Sequence, residues 1–596
     1  VKSKRHRRER QWRLIVPLGL IITMLVIFCG RLFDLQVLSA AAINEEADGR
    51  RGVVNSLWTT RGSIVDAEGR PLATSVDRFD ITIAPVNMVD FNRSNPKTGE
   101  TEVVTVDDSL QRIAKITGQD AKTLRAEIDA ILAEDPDANF AYLARMVPLE
   151  QYQEIRKLRI PWVYPQPHPK RSYPAGAVAG NIVGFSDAAG EPLAGLELQY
   201  DKCLAGANGK EMYERSADGV AIPGTVVTVE KPRPGGTLEL TIDSDVQYRV
   251  QQILAEQVTY QQAEYGTITV VNVKTGEIIA AAEYPTVDPN VPTDANPDDR
   301  GNRTFGAALE PGSIMKPLTA AMLYDQGKVD PHETITVPDQ WPHDDASFGD
   351  HESHAPIEMN LNGVLAVSSN VGTAEFGSRL SREVRYDYMR KFGLGEPTAV
   401  GFSGEAAGTV HAPEDWDSQT NYTVMFGQGL TATAAQMASA YQAIGNGGKR
   451  LPLKLVRGCR QEDGTLTEIP GGESVQVVSP EAARLAIDGM EAMARAPGHE
   501  DLAVPGYRVA TKSGTAQTVN PETGTYYQGT YYTTMAGLAP ADDPQFAVLV
   551  GMYRPTRMVT GSGSTPVAWQ QTMSYVLAKY QVPPSPEPYP EIDARY

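Results

Sequence analysis

Hydrophobic and polar positions change rhythm several times along the 596 residues. From Leu14 to Gly30 the chain is apolar apart from Thr23, a run of seventeen residues at the short end of what spans a membrane as a helix. Residues 106 to 159 place apolar side chains at helical spacing, with Asp107 and Asp108 near a start, and read as helices. Beyond residue 230 the period shortens to two. Leu238–Asp243 alternates as a strand, followed by a helix that Asp243 or Ser244 can cap. Tyr265–Val273 and Glu277–Ala282, split by Lys274-Thr275-Gly276, predict a hairpin. Pro311-Gly312 signals a turn, after which Ser313 to Leu323 opens a buried helix that tolerates Pro317 only in its first turns. Gly363–Val367 is a short apolar stretch that stops at two serines, and Tyr507–Thr511 alternates again as a strand. Glu230–Gly236, with two prolines and two glycines, interrupts any element and marks a boundary. Val582–Pro590 is so rich in proline that it must be extended.

Charge gives the apolar run a direction. The first fourteen residues hold seven Lys or Arg against one acidic residue, whereas the whole chain carries −20, leaving about −26 for the rest. Basic residues before the span place the N-terminus in the cytoplasm and the acidic body outside. A cleaved signal peptide competes with an anchor, because Ala40-Ala41-Ala42 offers a cleavage site. Arg31 and Asp34 interrupt the approach to that site, which favours an uncleaved anchor. No nucleic-acid partner is expected.

Cysteine is sparse. Cys29 falls in the apolar run, and Cys203 and Cys459 fall in segments that read as different domains, so no structural disulfide is expected in a chain long enough to bury its own core.

The chemistry lies in three short motifs in fixed order: Ser313-Ile-Met-Lys316, Ser368-Ser369-Asn370 and Lys512-Ser513-Gly514-Thr515. Singly each is weak, since S-x-x-K arises by chance roughly once in a chain of this length. Three residues apart on a helix is one face, so Lys316 lies beside Ser313 and can take its proton if burial or a nearby cation lowers its pKa. Ser368 and Asn370 are the members of their triplet that can point the same way. Gly514, without a Cβ, lets a ligand backbone lie along its strand. His343, Asp344, Asp345, Asp350, His351 and His354 cluster as zinc-ligand types, but in a loop-like segment without helical spacing, and serine chemistry already accounts for catalysis. Neither a metal nor a cofactor is expected.

In their flanks Glu310-Pro-Gly-Ser313-Ile-Met-Lys316-Pro317 and Lys512-Ser-Gly-Thr-Ala-Gln517, these motifs resemble the penicillin-binding proteins and active-site serine β-lactamases. The resemblance implies Ser313 as nucleophile, Lys316 as its base, Ser368 as proton relay and Asn370 as a hydrogen-bond partner of the donor peptide. It gives Lys512 the role of positive potential, and Ser513, Gly514 and Thr515 that of the carboxylate-binding strand. The backbone N–H groups of Ser313 and Thr515 would form the oxyanion hole.

Arg31-Leu-Phe-Asp-Leu-Gln-Val37, the segment from Arg61 to Ala73, Arg171–Gly176, Val183–Phe185 and Gly195–Asp201 are similar to the juxtamembrane and pedestal segments of class B members, most like the septal, FtsI-type enzymes. The implied fold is α+β: one membrane helix, an elongated mixed pedestal, and a C-terminal transpeptidase domain of antiparallel sheet flanked by helices. Expected divisions are a basic cytoplasmic tail at 1–13, an anchor with its juxtamembrane segment at 14–36, the pedestal at 37–229, a linker at 230–236, the transpeptidase domain at 237–580 and an extended tail at 581–596. Implied partners are peptidoglycan stem peptides, β-lactam antibiotics, a SEDS-family glycan polymerase (FtsW-type) and other divisome membrane proteins. An elongation-type transpeptidase is the alternative; a tethered β-lactamase, a D,D-carboxypeptidase or a non-catalytic sensor fits the pedestal and anchor less well.

Overall fold

The computed structural model describes residues 2–39, 52–94, 101–187, 189–214, 224–520 and 523–596. Ala40, Ala41 and Ala42 lie outside the described residues. Lys2–Phe33 is one helix, and the stretch Val16–Leu38, 23 residues of mean hydropathy 2.2, is long and apolar enough to cross a membrane.

Two compact units interleave in sequence. The smaller comprises Val1–Thr59, Asp77–Lys170 and Ala207–Arg233. Its strand Arg78–Ile83 lies between Ala141–Pro148 and Val163–Pro167, antiparallel to both. Helices Val106–Thr117, Ala121–Glu134 and Leu149–Lys157 belong to the same unit, and Ile81, Leu110, Ile113, Leu124, Leu143 and Trp162 fill one core. Thr105 and Asp120 cap the first two helices through their side chains. Ala141–Pro148 corrects the all-helical expectation for 106 to 159. It pairs along Arg78–Ile83, and that tertiary pairing outweighs the local period.

The larger unit comprises Thr60–Val76, Arg171–Gly206 and Pro234–Tyr596, so two segments expected in a contiguous pedestal fold elsewhere. Ile64–Val65 pairs parallel with Thr237–Leu240. Fully buried Glu197 accepts from Arg61 Nε at 2.7 Å and Arg171 Nε at 2.6 Å, tying three distant segments of the sequence into one knot. Gly236 N donates to Cys203 O at 2.8 Å, and Leu238 pairs with Cys459.

Cys203 and Cys459 are consequently bridged, with Cα atoms 6.1 Å apart, contrary to the expectation of no disulfide. The misreading came from placing them in different domains. Closing a loop of this length restricts the unfolded chain, worth about 2–4 kcal/mol. Reductant or Cys203→Ser should therefore lower the melting temperature of the larger unit by roughly 2–5 °C. Identical melting of wild type and variant, with and without reductant, would show that the bridge contributes nothing.

Within the larger unit, five strands form an antiparallel sheet: β1 (Tyr265–Asn272), β2 (Ile278–Tyr284), β3 (Ala510–Val519), β4 (Tyr526–Ala539) and β5 (Phe546–Tyr553), in the order β2-β1-β5-β4-β3. The β1–β2 hairpin is the one predicted. Successive side chains of a strand point to opposite faces, and β5 uses both. Phe546, Val548 and Val550 pack in one core with helices α1 (Ser244–Gln261, capped by Asp243) and α7 (Pro566–Lys579). Ala547 and Leu549 join the other core, with α2 (Lys316–Asp325), α3 (Leu361–Val367), α4 (Asn370–Gly377), α5 (Ala434–Gly445) and α6 (Pro480–Arg495). β3 is the edge strand nearest that second group of helices.

Candidate active site

Ser313 sits in a tight turn, Gly312–Met315, that runs directly into α2, with Pro317 in its first turn where no helical N–H is lost. Gly312 has φ +64°, and a Cβ there would meet the Thr515 backbone at 3.0 Å. Glycine thus allows both the left-handed bend and the close approach that bring the turn against β3. A Cβ on Gly514 would meet Thr534 Oγ1 at 2.3 Å and Pro311 O at 2.9 Å. The bare Cα of Gly514 thus accommodates the nucleophile's turn.

Glu310 braces the same turn. Its Oε1 accepts Gly429 N and the Tyr526 hydroxyl, both at 2.8 Å, and burial raises its carboxyl above the ordinary range.

The three motifs meet at Ser368. Lys316 Nζ donates to Ser368 O and, at 3.1 Å, to Ser368 Oγ. Lys512 Nζ donates to the same Oγ at 2.9 Å and to Ser513 O at 3.0 Å. Both lysines are essentially fully buried, 1% and 0% exposed, whereas Ser313, Ser368, Asn370, Ser513 and Thr515 are half-buried. Burial first, then the charge of Lys512, lowers Lys316 well below the usual lysine range, against a smaller opposing effect of Asp350. Burial lowers Lys512 to about 7.

Ser368 ends α3 in a left-handed conformation, φ +61°, uncommon for a residue with a side chain. Ser369 then caps α4, accepting Gly372 N at 2.8 Å. The strained residue between two helices turns Ser368 Oγ to the lysines while Asn370 Nδ2 donates to Gly349 O at 2.9 Å. Thr515 Oγ1 accepts Gly561 N at 2.9 Å, leaving its own proton to donate.

Asp350, noted in the sequence only within a possible metal cluster, holds this triplet. Its Oδ1 accepts Asn370 N at 2.5 Å and Val371 N at 3.0 Å; its Oδ2 accepts Ser369 Oγ at 2.6 Å and faces His354 Nε2 at 3.1 Å. Asp345 is engaged elsewhere, by Trp341 Nε1 and the Tyr422 hydroxyl. A carboxylate before a helix N-terminus was legible as a cap type, but nineteen residues, among them the strand Ile357–Asn360 and all of α3, separate it from the helix that it caps. Asp350→Ala leaves two amides unpaired and should slow acylation by about tenfold or more at a cost of roughly 1–3 kcal/mol in stability. Asp350→Asn keeps an acceptor and should stay closer to wild type. Timed labelling with a fluorescent penicillin compares them, and an alanine variant as fast as wild type would remove the role.

Residues 266–572 match the penicillin binding protein transpeptidase domain, and residues 57–240 match the penicillin-binding protein dimerisation domain. The chain belongs to the penicillin-binding protein transpeptidase family. It is 34% identical to penicillin-binding protein PbpB of Mycolicibacterium smegmatis over 96% of this chain and 91% of that one. Identity to peptidoglycan D,D-transpeptidase FtsI of Escherichia coli K12 is 30%, over 95% and 92%. Among solved structures, a peptidoglycan synthetase from Bifidobacterium adolescentis superposes with a TM-score of 0.73 at 28% identity, covering 92% of this chain and all of that one. Penicillin binding protein 3 of Mycobacterium tuberculosis, complexed with aztreonam, superposes with a TM-score of 0.68 at 28% identity, over 90% and 98%. Like these penicillin-binding proteins, the chain joins a dimerisation domain to a transpeptidase domain, and its apolar helix serves as a single-pass membrane anchor.

Proposed function

We propose that this chain is a peptidoglycan D,D-transpeptidase that cross-links stem peptides through an acyl-enzyme on Ser313, in septal wall synthesis. Ser313 Oγ attacks the carbonyl of the penultimate D-alanine while Lys316, neutral in its buried site, takes the hydroxyl proton. Amide N–H groups of Ser313 and Thr515 stabilise the oxyanion, each such donor contributing about 3 kcal/mol or more. The C–N bond breaks, and the proton passes by way of Ser368 to the departing D-alanine amine. Lys512 with Ser513 and Thr515 holds the substrate's terminal carboxylate, along a strand made approachable at Gly514, and Asn370 bonds the donor peptide. An amine of a neighbouring stem then attacks the ester, forms the new amide and returns the proton to Ser313. β-Lactams acylate the same oxygen and stay.

The observation that carries this reading is the convergence of two buried lysines on Ser368 Oγ beside the turn of Ser313. The names of PbpB and FtsI relatives support the septal role. Basic residues before the apolar helix support a cytoplasmic N-terminus, and the disulfide suits the oxidising exterior. A SEDS-family polymerase of the FtsW type is the proposed partner, since the resemblance to class B enzymes implies cross-linking alone.

The test uses the full chain in detergent micelles. The penicilloyl adduct should persist for many minutes, and a D-amino acid acceptor given with a thioester or stem-peptide donor should appear in product. Rapid conversion of penicillin to penicilloic acid without acceptor incorporation would favour a tethered hydrolase. Depletion in cells should give filaments; rounding would assign the enzyme to elongation.

A further inference from the structure

The last residues of the chain do not trail into solvent. Ser585 is fixed beside β3, its N–H donating to Gly506 O at 2.9 Å and its Oγ accepting Arg508 N at 3.0 Å. Further along, Pro590 O accepts from Arg495, at the end of α6, at 2.7 Å. The chain then closes on the N-terminus of α3. Asn360, the fully buried cap of that helix, accepts Arg595 N at 3.0 Å and Gly363 N at 2.8 Å through the same Oδ1. The side-chain amides of Asn360 and Asn362 both donate to Asp593 O, at 3.0 and 3.1 Å. A Cβ on Gly363 would lie 1.7 Å from Arg595 O, so the tail backbone rests directly on the helix. His332 holds the Asp593 carboxylate at 2.7 Å.

α3 is seven residues long, about 10 Å of helix, and it ends at Ser368. Whatever seats its first turn also sets the position of the oxygen that both lysines share. Asn362 adds a second link, since its Oδ1 accepts the hydroxyl of Tyr324 on α2, the helix that begins at Lys316.

We propose that residues 588–596 act as a strap that seats α3 and so holds Ser368 at Lys316 and Lys512, which makes Asn360, Asn362 and the backbone of Asp593 and Arg595 positioning groups for acylation. The strap rests on the site reading above and adds a control point remote from the substrate. Its grip on α3 is through backbone atoms of the tail, whereas the Arg595 side chain bonds Asp593 within the strap, Nε to Oδ1 at 3.1 Å, so that side chain is dispensable to the seating of α3 while its N–H is not. A shift of about 1 Å at a reacting group can cost as much as a hundredfold in rate, whereas ligand affinity depends on β3 and its neighbours.

The experiment compares full-length wild type in micelles with a chain ending at Glu587, which keeps the Ser585 contacts, and with Arg595→Pro and Arg595→Ala. Acylation by a fluorescent penicillin is resolved into a binding constant and a first-order acylation rate. The shortened chain and Arg595→Pro should acylate about tenfold more slowly with binding within twofold, and Arg595→Ala should match wild type. A synthetic peptide of residues 588–596 should restore the rate of the shortened chain in a saturable way. Unchanged acylation in both the shortened chain and Arg595→Pro overturns the strap alone. So does a loss of rate that tracks weaker binding and lower melting temperature and that the peptide does not rescue. Failure of wild type to acylate at all overturns the site reading, and the strap with it.

Discussion

Ser313→Ala should abolish covalent labelling by penicillin while leaving the fold intact. In wild type the intact mass should rise by one penicillin, and the adduct should map to the peptide that holds Ser313. The expectation rests on position as much as on residue type. Ser313 occupies a turn pinned by Gly312 N to Gly427 O at 2.9 Å and pressed against the Thr515 backbone, half-buried where Lys316 and Lys512 are fully buried. The nucleophile of an acyl-enzyme carries the whole reaction, so its loss removes the covalent step outright. Because Ser313 is only half-buried and its side chain is small, the melting temperature should stay within about 1–2 °C of wild type. A label that persists in the alanine variant, on any residue, would sink the nucleophile assignment.

Much of this site was legible because its parts are local. A serine and lysine three apart need only a helical turn to share a face, whereas the strand read at Tyr507–Thr511 starts only at Ala510 and carries Lys512–Thr515 inside it, because pairing with β4 and not local alternation sets its bounds. Less legible was everything set by distant segments. Cys203 and Cys459 are 256 residues apart, and their pairing depends on Arg171–Gly206 folding into the larger unit. The strand Ala141–Pro148 borrows its conformation from Arg78–Ile83 and lacks a clean alternation of its own. Asp350 reaches the Ser368 triplet across an intervening strand and helix. Even the tail, correctly read as extended, gave no hint of where it rests, because proline dictates backbone angles and not docking partners.

Replacing Lys316 by methionine should slow acylation by about 10²–10⁴-fold, the usual contribution of a positioned base, while holding or raising stability. Lys316 and Lys512 share Ser368 Oγ at 3.1 and 2.9 Å in a buried site, and two ammonium groups there repel. The pair therefore titrates as a unit, the first proton leaving far below the ordinary lysine range. Lys316, which carries the repulsion of Lys512 on top of burial, is the partner that gives up its proton first, and Lys512, lowered to about 7 by burial, retains charge when a substrate carboxylate binds beside it. For stability the sign follows from proton counting. Between the depressed folded values and about 10.4 in the unfolded chain, unfolding takes up protons, so stability rises with pH across that window. Buried lysine thus weakens the fold at neutral pH, and methionine, of similar length and without charge, removes that penalty. Wild-type acylation should climb as Lys316 loses its proton and fall again as Lys512 loses its own, with the acid limb absent from the residual rate of Lys316→Met. Acylation rates against pH, measured alongside melting temperature, decide the matter. A methionine variant within a few-fold of wild type would mean that another group accepts the Ser313 proton; a large drop in its melting temperature would mean that the lysine is held for packing.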